Sequence, residues 1–130
     1  MSEASLELLA PRTDVWGFLA EPYHLSDWWP GITGVDPDLR GFAPGARWKV
    51  HSTKRNIFTG RRNVETMVLI REIEPFERWS WHLLEPPTDV DVRLKAVAEN
   101  RTVVSVSVTR GNPAIAVKRL YDLVQTAAEL

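Results

Sequence analysis

NPAIAVKRLYDLVQTAAEL, residues 112–130, decides the architecture, because it reads as the only long amphipathic helix in the chain. Asn112 is a good N-cap, and Pro113 fits the first helical position, where its missing N–H costs nothing. Ala116, Val117, Leu120, Leu123, Val124 and Ala127 then recur at helical spacing on one face. Lys118, Asp122, Gln125 and Glu129 fall opposite, with Arg119 and Thr126 beside them and Tyr121 on the seam. At about 1.5 Å per residue such a helix spans roughly 27 Å, the width of a small domain. One side is built for water and the other for a partner surface, so the rest of the chain has to supply that surface.

It supplies a sheet. Working back, Val104, Val106 and Val108 alternate with Val103, Ser105 and Ser107, and Val90, Val92, Leu94, Ala96 and Ala98 alternate with Asp91, Arg93, Lys95, Val97 and Glu99. Trp79, Trp81 and Leu83 are set against Ser80, His82 and Leu84; Val64, Thr66, Val68 and Ile70 against Glu65, Met67, Leu69 and Arg71; Ala46, Trp48, Val50 and Ser52 against Arg47, Lys49, His51 and Thr53. This alternation is what an antiparallel sheet shows when one face is buried and the other wet, and connections this short make a meander of hairpins. Upstream, Leu6, Leu8 and Ala10 mark a short strand ended by Pro11. Val15, Trp16 and Leu19 then fall at helical spacing, a second short helix runs from about Pro22 to Trp28, and Trp28-Trp29-Pro30-Gly31 forces a turn before a brief strand at Ile32–Val35. The fold class is α+β, a curved antiparallel sheet closed over by the C-terminal helix.

At 130 residues this is one expected domain, large enough to bury a core without staples. The absence of cysteine excludes disulfides, a thiolate nucleophile and a cysteine-ligated zinc. There is no basic leader with an apolar run and no stretch near the ~18 apolar residues of a membrane span, so the chain reads as soluble and, by default, cytoplasmic. Sixteen basic against seventeen acidic side chains give no overall field for nucleic acid or anionic membrane. Six tryptophans are more than so short a chain needs to close a core.

The order of elements resembles the helix-grip fold of the START-like (SRPBCC) superfamily. Ala10-Pro11 followed by Val15-Trp16 and Leu19 is similar to its opening strand-to-helix junction, and Asp27-Trp28 followed by Pro30 to its tryptophan-proline element. Ile70–Ile73 leading through Glu74-Pro75 to Arg78, Trp79 and Trp81, and Thr102-Val103-Val104-Ser105, resemble its later strands. Together these cover residues 1–130 as one START-like domain. The polyketide cyclase/dehydrase branch is the nearest in look, with the chaperone-activator-like branch behind it. The resemblance implies a cavity between sheet and helix that takes hydrophobic small molecules. It implies no reaction, since members range from lipid carriers to cyclases. The last helix, ending at Leu130, is short beside the family's, which implies a shorter cavity or a different closure at one end.

Parity sorts the residues able to reach such a cavity. Trp48, Val50, Thr66, Val68, Ile70, Trp79, Trp81, Leu83, Val92, Leu94, Val104 and Val106 come from the sheet, and Leu120, Tyr121 and Val124 from the helix. Ser52, Thr66, Thr102 and the Tyr121 hydroxyl are the polar groups among the inward positions, and none titrates near neutrality. Two readings of the tryptophans stand side by side: core and hinge packing for Trp16, Trp28, Trp79 and Trp81, with Trp29 and Trp48 partly exposed, or an aromatic wall of Trp48, Trp79 and Trp81 for a flat ligand.

His51 and His82 have outward parity, His24 sits near the Trp28 turn, and no pair has metal-ligand spacing, so no metal or other cofactor is expected. Lys54, Arg55, Arg61 and Arg62 flank Asn56-Ile57-Phe58-Thr59-Gly60 at a hairpin tip. That tip is either a solvated turn, a lid that attracts an anionic ligand, or a small nucleic-acid patch, the last weakly supported by a single loop.

The leading expectation is binding of a hydrophobic, aromatic or polyketide-like small molecule, with no nucleic acid and no membrane span. The alternative is a cyclase or dehydratase using Tyr121, Thr66 and Ser52, joined by His51, Arg62 or His82 if a bulge shifts the register. A third is a chaperone-activator-like interaction domain, whose mark is an exposed apolar patch away from the cavity. Composition and pattern set neither the ligand nor the oligomeric state.

Overall fold

A computed structural model of the protein describes residues 2–56 and 60–129, and the side chains of 2–52 and 64–126. Among the described residues, strands β1 (Ser2–Leu8), β2 (Ile32–Asp36), β3 (Arg47–Asn56), β4 (Gly60–Glu74), β5 (Arg78–Leu83), β6 (Thr88–Ala98) and β7 (Arg101–Val108) form one sheet. Its order is β1-β7-β6-β5-β4-β3-β2, and every neighbouring pair is antiparallel. Helices α1 (Arg12–Ala20) and α2 (Leu25–Trp28), the latter preceded by a 3-10 turn at Pro22–His24, link β1 to β2, and α3 (Ala114–Glu129) closes the chain. This is the α+β arrangement expected from the alternating runs, in the helix-grip order that the resemblance implied. No helix among the described residues is long and apolar enough to cross a membrane.

Local chemistry sets the element boundaries. The Asn112 side-chain oxygen accepts the Ala114 N–H at 3.0 Å, so α3 begins where its first free amide finds a cap. Its buried residues are Ala116, Val117, Leu120 and Val124, with Leu123 half-buried, and the Ala127 side chain lies outside the described residues. In α1 the carbonyl of Pro11 accepts the amides of Asp14 and Val15, and Val15, Trp16 and Leu19 are buried as their spacing requires. At the edge of the sheet β1 buries Leu8 but leaves Leu6 exposed, and Leu9 and Ala10 belong to the turn into α1.

The inward parity holds along β3, β5, β7 and β6 as far as Leu94, whose Trp48, Val50, Trp79, Trp81, Val92, Leu94, Val104 and Val106 are all buried; Ala96 and Ala98, of the same parity, are exposed at the end of β6, where a bulge falls between them. In β4 a bulge intervenes between Ile70, opposite Trp81, and Glu72, opposite Ser80. After this extra residue Ile73 pairs with Trp79 and packs on the core, although strict alternation from Ile70 turns it outward.

In an antiparallel meander successive turns fall at opposite ends of the sheet, and here the two ends differ. At one end the loop after β2 is tied down. The Asp38 carboxylate accepts the amides of Arg40 at 3.0 Å and Arg47 at 2.9 Å, Gly45 donates to the Ile70 carbonyl at 2.8 Å, and Ile70 donates to Ala46 at 2.9 Å. These bonds, the Arg47 amide first and then those of Arg40 and Gly41, hold the Asp38 carboxyl below its ordinary pKa. The buried Thr102 hydroxyl donates to the Ala10 carbonyl at 2.9 Å and joins the start of β7 to the β1–α1 turn. The other end gathers the ends of β3, β5 and β7 and the starts of β2, β4, β6 and α3.

Candidate ligand site

All six tryptophans join one connected array of rings. Trp81 lies 5.8 Å from Trp79, and Trp79 lies 5.8 Å from Trp48, centroid to centroid, as inward residues on adjacent strands must. Trp28 meets Trp79 edge-on at 6.4 Å, and Phe42, from the tied-down loop, does so at 5.2 Å. Phe42 also touches Trp16 at 5.6 Å, and Trp16 meets Phe76 of the β4–β5 turn at 6.1 Å. Trp29 meets Trp81 edge-on at 4.9 Å.

The expected wall is therefore a filled aromatic layer. Trp48 and Trp79 are 0% exposed and Trp81 1%, so all three are closed off from solvent; they face Trp28, Trp29 and Phe42. Complete burial of Trp48 corrects the packing reading, which left it partly exposed. Its indole N–H donates to the Gly41 carbonyl at 2.7 Å, which explains how a ring with a polar edge is accommodated there. The indole N–H groups of Trp79 and Trp81 are buried without a hydrogen-bond partner among the described residues. An unpaired buried donor costs about 1–3 kcal/mol. The rings that touch these two, Trp28, Trp29, Trp48 and Phe42, carry no accepting oxygen.

Open space begins at Trp29. A pocket of about 320 Å³ at the strand-end mouth is lined by Trp29, Ile32, Leu83 and Pro86 on its apolar side and by Ser52, Thr66, Thr88, Glu85 and Arg110 on its polar side. That volume is at the low end of the ~300–1,000 Å³ usual for small-molecule sites. The Thr66 hydroxyl accepts the Glu85 amide at 3.0 Å, Thr88 donates to the Pro86 carbonyl at 2.9 Å, and Ser52 makes a long 3.5 Å bond to the Val64 carbonyl. Among the described residues, the lining of the mouth carries one carboxylate, Glu85, and one guanidinium, Arg110. Trp29, half-buried on the turn after α2, is shared by the pocket and the aromatic layer.

Of the residues expected to reach a cavity, Thr66 and Leu83 line the mouth. Trp48, Val50, Val68, Ile70, Trp79, Trp81, Val92, Leu94, Val104, Val106 and Leu120 lie in the closed core behind it. Val124 lines a separate groove near α1, and half-buried Tyr121 has Lys118 over its ring at 5.2 Å. Among the cyclase candidates, Ser52 and Thr66 sit together, whereas the histidines point away. His51 pairs with Asp36 at 2.8 Å and His82 with Asp89 at 2.8 Å on the outer face. His24 bonds the Phe18 carbonyl at 2.8 Å. The side chains of Lys54, Arg55, Arg61 and Arg62, and the tip at 57–59, lie outside the described residues. No cluster of metal-ligating side chains occurs among the described residues.

Parity reasoning missed Trp29, Ile32, Glu85, Pro86, Thr88 and Arg110, which belong to strand ends and turns. The available signal was the meander itself, which sends the turns before β6 and after β7 to the same end.

A family model described as "Activator of Hsp90 ATPase homolog 1-like protein" matches residues 9–125. The chain belongs to that family. It is a START-like (SRPBCC) protein, as its motifs suggested, and the family that matches is the chaperone-activator-like branch that the motifs ranked second. No curated protein matches the sequence. Solved structures place this family member's fold more widely. Norcoclaurine synthase of Thalictrum flavum, solved as a point mutant with a transition-state analogue, is 14% identical at a TM-score of 0.70, over 97% of this chain and 94% of that one. The di-domain ARO/CYC protein StfQ of the steffimycin biosynthetic pathway is 14% identical at a TM-score of 0.70, over 99% of this chain and 45% of that one. Protein NE0264 of Nitrosomonas europaea is 16% identical at a TM-score of 0.67, over 99% and 97%. At such identities the likeness is one of fold.

Proposed function

We propose that the protein binds a hydrophobic small molecule, aromatic or polyketide-like, that enters at the mouth and reaches the tryptophan layer by displacing Trp29. One observation carries this reading: the apolar side of the mouth pocket and the buried aromatic layer share a single half-buried ring, Trp29, so one side-chain movement joins them. The helix-grip likeness to norcoclaurine synthase and to StfQ supports it by fold. The ligand would rest on Trp81, Trp79 and Leu83, with Thr66 and Ser52 as polar contacts. Native mass spectrometry of the purified protein, followed by denaturing extraction, tests the reading. A stoichiometric hydrophobic adduct supports it. A bare mass, together with no quenching of tryptophan fluorescence by naphthalene-sized probes, defeats it.

A second reading is favoured by a different surface. A groove of about 340 Å³, lined mainly by Leu9, Ala10, Pro11, Val15, Phe18 and Leu123, lies between α1 and α3, far along the helix from the mouth. Such an apolar patch away from the cavity is what an interaction domain needs, and the family's description names an Hsp90 ATPase activator. Stimulation of an Hsp90 ATPase by this chain, abolished by Leu9→Asp, supports that reading; an unchanged ATPase rate removes it.

A further inference from the structure

Resting on the proposal that the mouth and the tryptophan layer bind a small molecule, we infer that the ligand is a flat, uncharged molecule carrying an accepting oxygen, a carbonyl or an ether, which the indole N–H groups of Trp79 and Trp81 receive. Three observations combine. The two rings are adjacent, 5.8 Å apart, and both donors are buried without a partner among the described residues. Trp48, the third ring of the row, has its donor taken by Gly41 at 2.7 Å, whereas Trp81, whose donor has no partner among the described residues, is the ring that meets Trp29 at the mouth. The rings packed against these two are Trp28, Trp29, Trp48 and Phe42, whose side chains carry no accepting oxygen and no charge.

A donor in such surroundings selects an acceptor, and ring faces select a flat body. The absence of charge beside the rings disfavours a carboxylate or phosphate at that depth, since a buried ion without a partner is costly. An apolar body alone fills the space and leaves both donors unpaired, so the site discriminates by hydrogen bonding, the mode in which a missing polar group on the ligand costs most.

The test uses the full chain, labelled with ¹⁵N, and two probes of nearly the same shape, 2-acetylnaphthalene and 2-isopropylnaphthalene. The ketone is expected to bind about tenfold or more tightly than the hydrocarbon, the equivalent of one good hydrogen bond. It should also move the Trp79 and Trp81 indole N–H resonances downfield, while the hydrocarbon leaves them in place. Trp79→Phe and Trp81→Phe, which keep a ring and delete the donor, should each bring the affinity ratio toward one. The resonance shifts need no variant and stand even if a substitution fails to fold. Equal binding of both probes with unmoved indole resonances overturns the oxygen inference and leaves the small-molecule reading intact. Binding of neither probe sinks both.

Discussion

The two ends of this sheet are made of the same residue types and behave differently. At the tied-down end, Trp48 donates to Gly41, Thr102 donates to Ala10, and Asp38 collects backbone amides, so these three groups are paired, and the rings of Phe42, Trp16 and Phe76 pack beside them. At the mouth, Trp29 stands half-exposed against Trp81, whose donor has no partner among the described residues, and a pocket begins on its other side. Fully paired polar groups make a rigid corner, whereas unpaired ones mark a place where stability has been given up. The contrast teaches that tryptophan serves here both as structure and as candidate binding surface, and that the hydrogen bond to its N–H tells the two apart.

The comparison is broken most forcefully by truncation. Trp48→Ala removes a fully buried ring and should cost about 3–5 kcal/mol, whereas Trp29→Ala removes a half-exposed one and should cost well under half of that. Urea midpoints measure both, and equal costs dissolve the distinction between the ends. Trp29→Ala should also speed association of 2-acetylnaphthalene, seen by stopped-flow fluorescence.

A finer pair is Trp48→Phe against Trp81→Phe. Both lose similar ring volume, but the first strands the Gly41 carbonyl and the second deletes an unpaired donor. Trp48→Phe should therefore be the more destabilising by about 1–3 kcal/mol; the reverse order means that the Trp81 donor is paired in solution. Thr102→Val should cost about 1 kcal/mol by removing the bond to Ala10, read as a lower melting temperature with no change in probe binding.

The smallest effect is at Asp38. Its folded-state pKa is lowered, so its contribution is present above the unfolded value near about 4 and is lost as pH falls through the folded value. Asp38→Asn should thus flatten the acid limb of the stability profile below about pH 4 while leaving the mouth's probe affinity unchanged.

Much of the fold was legible because its signals are local. Alternation in β3, β5, β7 and β6 up to Leu94 specified which residues face inward, Asn112 specified where α3 begins, and the Pro11 junction specified α1. The parity rule failed at Ile73, because a bulge inserts its extra residue without any mark in the pattern. Exposure of Trp48 was misjudged because the residues that cover it, Phe42 and Gly41, lie in a loop with no periodicity to read. The site was legible only in part: Ser52, Thr66 and Leu83 were found on their strands, while Glu85, Pro86, Thr88 and Arg110 come from turns and a strand start whose convergence depends on strand order.

The sequence by itself determined the elements, their amphipathic faces and the superfamily, because these follow from spacing, capping and short connections. Only the tertiary structure decided that the Trp48 N–H is bound to Gly41 while those of Trp79 and Trp81 are buried without a partner among the described residues. Three tryptophans of the same inward parity are indistinguishable along the chain, and what separates them is the acceptor or the ring that folding brings to each N–H.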